Sequence, residues 1–180
     1  MIESQDHGAP TATRAAQSPY TTVCKLLAGA GLVVAVTGLV VIIGIVAWQV
    51  FGRYVLNDSP TWTENLALVI VLYVTLIGAA VGVRDAGHIG MDSLLTLVPE
   101  SPRRYISMVI QVLVAAFGVG MVWNGAILGV SVAPYKLANL DLSEASRYVP
   151  LVISGALIVL FSIEHLIALI NRTEVEPTWR

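Results

Sequence analysis

The chain has 180 residues, of which 56% are hydrophobic and 12% charged, with a formal net charge of -2 and a mean hydropathy of +0.78. Soluble globular domains carry about 25% charged residues, so this balance excludes an ordinary soluble domain and points to a lipid environment. Its lone cysteine, Cys24, excludes an internal disulfide and a cysteine-based metal cluster. No G-x-x-x-x-G-K-[ST] pattern is present, which excludes a P-loop.

In chain order, residues 1–24 are rich in Ser, Thr, Ala, Pro and Gln and read as a polar, disordered tail. They lack the short apolar region and small-residue cleavage site of a signal peptide, so the apolar run that follows is expected to remain as an anchor. A helix needs ~20 apolar residues to cross the hydrocarbon core, and four segments qualify. They lie near 26–51, 62–83, 104–131 and 148–170, within a membrane domain of residues 25–171, with 172–180 as a second short tail.

The loop after span one reads "RYVLNDSPTWTE". Arg53 sits where a helix C-terminus favours a cation. Ser59 with Pro60 fits an N-cap and first-turn proline, while Thr61 with Glu64 fits a capping box. Arg53 and Glu64 could also pair across the loop. Span two carries Gly78-x-x-x-Gly82 and span three Gly125-x-x-x-Gly129, spacings that let membrane helices approach closely.

Between spans two and three, Met91, Leu94, Leu95 and Val98 recur at helical spacing, with Asp92, Ser93 and Thr96 largely opposite them. This predicts an amphipathic helix near 88–98, too short to span and suited to the membrane interface. His88 has no second ligand at helical spacing, so a solvated or capping role is expected rather than metal binding. Before span four, Ser143 is a candidate cap, and Pro150 in the early turns predicts a kink.

Orientation follows from Lys and Arg. With the N-terminus cytoplasmic, inner segments carry Arg14, Lys25, Arg84, Arg103, Arg104, Arg172 and Arg180, against Arg53, Lys136 and Arg147 outside. Both termini are therefore expected in the cytoplasm. Trp48, Tyr54, Trp62, Tyr135 and Tyr148 fall near the outer interface, as aromatic belts do.

Transporters and channels place ionisable groups or broken helices near the bilayer midplane. Here that depth offers Thr37, Thr75, Gln111 and Ser154, all uncharged. Glu164 and His165 are the ionisable residues inside a span, about two turns from its inner end. No cofactor is expected, because no two histidines lie at matching depth to hold a haem. The pattern is that of a subunit rather than a complete transporter.

Three stretches resemble the DctQ-like small membrane subunit of tripartite ATP-independent periplasmic (TRAP) transporters. "FGRYVLNDSPTWTENLA" is similar to the family's Arg-Tyr pair, short loop and Trp-Ser/Thr-Glu-Glu, fitted by Arg53, Tyr54, Trp62, Thr63 and Glu64. "GAAVGVRDAGHIGMDSLL" resembles its Gly-Ala and His-Ile/Val-x-Val/Met-Asp signature, fitted by Gly78, Ala79, His88, Ile89, Met91 and Asp92. "RYVPLVISGALIVL", with Tyr148, Pro150 and Gly155, resembles its last span. The pattern's second acid is Asn65 here, the basic residue a turn later is Leu68, and Gly90 stands where Arg is frequent.

The resemblance covers roughly residues 25–170 and implies an all-α integral membrane protein of the bacterial inner membrane, not an enzyme. Its implied partners are a large TRAP membrane subunit, a periplasmic substrate-binding protein and the lipid bilayer, with no nucleic acid. Its implied role is to scaffold the large subunit during cation-gradient-driven uptake of an organic acid. Arg53, Trp62 and Glu64 would shape the outer end, and His88 and Asp92 the inner linker. Two other readings remain: a small redox or enzyme subunit using Glu164 and His165, or a homo-oligomeric channel joined through the glycine motifs.

Overall fold

The computed structural model describes residues 19–58, 61–86, 100–137 and 141–171. Four long helices dominate: α1 Pro19–Tyr54, α2 Trp62–Ala86, α3 Glu100–Val132 and α4 Val149–Asn171, the last preceded by a 3-10 turn at Glu144–Arg147. All four are long and apolar enough to cross a membrane. The expected all-α membrane architecture is therefore present. The amphipathic helix expected near 88–98, with His88 and Asp92, lies outside the described residues.

One helix start differs from expectation, as does the segment leading into the fourth span. Helix α1 begins at Pro19, inside the stretch read as a tail. Proline is favoured at a first helical position because its missing N–H would be unsatisfied there anyway, and the buried Cys24 then ties that first part down. A 3-10 turn stands in place of the expected Ser143-capped start of a longer helix. The α-helix itself starts at Val149, so Pro150 falls among the first residues, whose N–H groups have no intrahelical acceptor. Ser143 caps the preceding 3-10 turn instead, accepting from the Ala145 amide at 3.2 Å and donating to the Ala133 carbonyl at 2.8 Å. Between α1 and α2, Asn57 takes a positive φ of 50°, a left-handed conformation that Asn tolerates better than most residues.

The helices pack in the order α1, α2, α4, α3 rather than in chain order. Helix α4 is central and carries the largest share of the buried residues, whereas α1 is the least buried. Antiparallel α1 and α3 flank the parallel pair α2 and α4. The flanking helices are also the long ones, with 36 and 33 residues against 25 and 23. At ~1.5 Å per residue they exceed the ~30 Å hydrocarbon core, so their ends project beyond it.

Lipid tails are as apolar as leucine, so helices here cannot associate by hiding from water and must gain from close packing and polar contacts. Close packing is visible on both flanks. A Cβ added to Gly118 on α3 would lie 2.9 Å from the Gly155 carbonyl oxygen on α4, and one added to Gly155 would lie 2.8 Å from the Gly118 carbonyl. On the other flank, Gly31 and Gly38 of α1 admit Val81 and Val74 of α2. A core of Cys24, Ala28, Val81 and Phe161 joins α1, α2 and α4 where α2 and α4 end.

Candidate functional site

At that end of the helix row sits a buried polar cluster. Arg84 lies in the last turn of α2 and is 2% exposed; Glu164 of α4 is also 2% exposed. Arg84 Nε donates to Glu164 Oε2 at 2.9 Å, and Nη2 donates to Oε1 at 3.1 Å. This fork-to-carboxylate geometry engages both oxygens and adds orientation as well as energy to a single contact. The guanidinium carbon stands 5.9 Å from the centre of the Phe161 ring, within cation–π range. Asp85 adds a second carboxylate 3.6 Å from Arg84 Nη1.

Neighbouring groups extend the clasp. His165 Nε2 lies 2.9 Å from the Arg84 carbonyl oxygen. A carbonyl only accepts, so Nε2 carries the proton, and the contact satisfies one of the carbonyls a helix terminus leaves open. From α1, the Tyr20 hydroxyl donates to the Leu160 carbonyl at 2.7 Å. Three helices are thus fastened at one level: α2 to α4 by ions, α1 to α4 by the tyrosine.

A second contact fixes the other end. Arg147 Nη2 donates to Asn65 Oδ1 at 3.3 Å, joining the 3-10 turn to the start of α2. The partners at the two ends are separated by 80 and 82 residues in sequence. Parallel helices fastened at both ends with nearly equal offsets cannot slide past one another without breaking both contacts. The cluster's chemistry is therefore positional: it sets the register of α2 against α4.

The clasp revises the reading of Glu164 and His165. Both are engaged by Arg84 inside the subunit, which leaves the enzyme reading without its proposed acid and base. It also revises Arg84, a charge assigned to the inner loop on sequence alone. The available signal was depth: a lone base in the last turn of one span and a lone acid about two turns from the corresponding end of another.

The other candidate residues are dispersed. Arg53, Tyr54, Trp62 and Glu64 are exposed, and no ion pair joins Arg53 to Glu64 among the described residues. Helix α2 starts at Trp62, which puts Thr61 at the cap position and Glu64 at the third helical residue, the places a capping box requires. Of the glycines, Gly125 packs tightly on Leu151 and Val152, and Gly129 meets Tyr148, so that motif serves contacts within the chain. Gly78 is in ordinary contact with Ala35, and Gly82 has open space where a Cβ would stand. The channel reading thus loses one of its two glycine motifs.

A groove of about 390 Å³ opens beside Gly125, Gly129, Ala133, Tyr148, Val152 and Ile153. Its lining has no charged side chain to hold an acidic solute. Among the described residues, no group of three or more His, Cys, Asp or Glu could hold a metal ion.

Residues 42–172 match the family described as tripartite ATP-independent periplasmic transporters, DctQ component. The chain belongs to that family. The matched region includes Arg84 and Glu164, as well as Arg53, Trp62 and Glu64. DctQ components are parts of transporters rather than enzymes.

This DctQ chain is 24% identical over 145 residues to the sialic acid TRAP transporter small permease protein SiaQ of Vibrio cholerae, covering 77% of this chain and 80% of that protein. It is 30% identical over 79 residues to the C4-dicarboxylate TRAP transporter small permease protein DctQ of the same organism, covering 42% of this chain and 34% of the relative. A 78-residue stretch is 35% identical to the sialic acid TRAP transporter permease protein SiaT of Haemophilus influenzae, covering 43% of this chain and 13% of SiaT.

Proposed function

We propose that this subunit braces the large membrane subunit of a TRAP transporter in the bacterial inner membrane. The observation that carries this reading is the clasp. Among the described residues the buried charges are spent on holding helices in register, and the groove described above offers no charged side chain to a solute. A transporter that moves a substrate domain through the bilayer needs a part that stays still. A row of helices fastened at both ends and flanked by long apolar faces suits that part.

In this reading the large subunit carries an organic acid inward, driven by a cation gradient, after a periplasmic binding protein delivers it. The names of SiaQ and DctQ, which refer to sialic acid and C4-dicarboxylates, support an acidic solute. The match to SiaT supports a large permease as the partner. Both termini face the cytoplasm, an orientation favoured by the Lys and Arg distribution even when Arg84 is counted as buried. The exposed Arg53, Trp62 and Glu64 then lie at the periplasmic end, free to meet the large subunit or the binding protein, while His88 and Asp92 shape the cytoplasmic linker.

The direct experiment is to tag the chain, extract it in mild detergent and identify what accompanies it. A much larger multi-span protein is the expected companion. Recovery of the chain alone in several detergents, with uptake unchanged on its deletion, would overturn the proposal.

A further inference from the structure

One part of the α3–α4 interface is polar where the rest is small or aliphatic. Gln111 of α3 is 3% exposed and Ser162 of α4 is fully buried. Neither Gln111 Oε1 nor Ser162 Oγ has a hydrogen-bond partner among the described residues. The two residues share a level. Gly118 faces Gly155 across these antiparallel helices, and two turns, about seven residues, lead back along α3 to Gln111 and onward along α4 to Ser162. Ser107, 6% exposed, lies one turn further on the same side of α3, and His165, 5% exposed, one turn further along α4. The seam therefore runs towards the Arg84 clasp.

A buried polar atom left unpaired costs about 1–3 kcal/mol in a protein interior, and there is no bulk water in the hydrocarbon region to relieve it. Two such atoms at one level on facing helices need a shared partner. We propose that an internal water molecule occupies the α3–α4 interface between Gln111 and Ser162. It donates one hydrogen to Gln111 Oε1 and accepts the Ser162 hydroxyl proton, leaving its second hydrogen for a backbone carbonyl. Buried waters typically make about three such bonds. Both oxygens are neutral, which suits water and gives a cation no opposite charge to offset its dehydration. The water fastens α3 to the row, as Tyr20 fastens α1. This inference depends on the packing of α3 against α4 and not on the identity of any partner.

The test is a density map of the purified protein in lipid nanodiscs, with its companions if they co-purify, at a resolution that shows ordered water. The expected result is a peak about 2.7–3.2 Å from both oxygens. Direct bonding between the two side chains, or an empty gap between them, would overturn the proposal. Gln111→Leu and Ser162→Ala add a second readout. Each alone is expected to lower the thermal midpoint by about 2–4 °C, and the double variant to lose less than the two losses added together, because they share one partner. Fully additive losses, or single variants as stable as the parent, would count against a shared water.

Discussion

Arg84 and Glu164, 80 residues apart in sequence, meet through two hydrogen bonds of 2.9 and 3.1 Å in a site almost closed to solvent. Charged residues are rare in this chain, so placing two of them inside a membrane domain is costly unless each neutralises the other. A buried pair is weak evidence for added stability, since well-packed apolar residues can do as well. What ions add is direction: a guanidinium fork accepts a carboxylate in few orientations, whereas valines pack in many.

Removing one partner should therefore hurt more than removing both. Glu164→Leu alone takes the bidentate partner from a buried guanidinium, leaving Asp85 at 3.6 Å, and should cost up to about 3–5 kcal/mol, read as a lower thermal midpoint and reduced yield in detergent. The double variant Arg84→Met with Glu164→Leu should recover most of that loss. Equal losses in the single and double variants would mean that the charges are not paired in the membrane.

The glycines should separate into two groups. Gly118→Ala and Gly155→Ala each push a methyl group into backbone of the facing helix, and such overpacking typically costs 1–3 kcal/mol. Gly82→Ala meets nothing within 4 Å among the described residues and should leave subunit stability unchanged or slightly raised, as alanine favours the helix. Thermal unfolding of the three variants in one detergent makes the comparison. A loss of complex with the large subunit in the Gly82 variant alone would place that residue at the contact between subunits.

Tyr20→Phe removes the hydroxyl that donates to the Leu160 carbonyl and keeps the ring. The expected cost is about 0.5–1.5 kcal/mol, again read as a lower midpoint. It should be felt at the α1–α4 junction, so faster amide exchange in the first turns of α1 is the second expected sign. Unchanged exchange there would show that α1 is held by its apolar packing on α2 and α4 alone.

Arg53→Ala and Glu64→Ala make the opposite case. Both side chains are exposed, so the isolated subunit should lose only a helix-end interaction of about 0.3–1 kcal/mol and unfold within a few degrees of the parent. Complex recovery and uptake should fall if these residues meet a partner. Parent-like complex yield and uptake in both variants would leave them with helix-end roles only.

The fold was largely legible in the sequence because a membrane span is written as an unbroken apolar run. The helix start at Pro19 and the 3-10 turn ahead of Val149 differ because proline can either open a helix or bend one, and composition does not say which. The site was less legible. Glu164 and His165 stand out within their span, but their partner Arg84 lies in another helix, and the offset between α2 and α4 is a property of packing rather than of either segment. The backbone-to-backbone approach of Gly118 and Gly155 likewise involves one glycine from each helix. A search for two glycines four apart on one helix therefore finds Gly125 and Gly129 and passes over the tighter contact.

The central claim, that this chain braces a transporter without carrying solute itself, is tested most directly in reconstituted vesicles. Vesicles containing this chain alone, and vesicles that also hold the large subunit with binding protein outside, would be given a radiolabelled organic acid under an imposed cation gradient. Uptake is expected only in the complete set, and it should fall sharply when this chain is left out. Gradient-driven uptake by this chain alone would contradict the account.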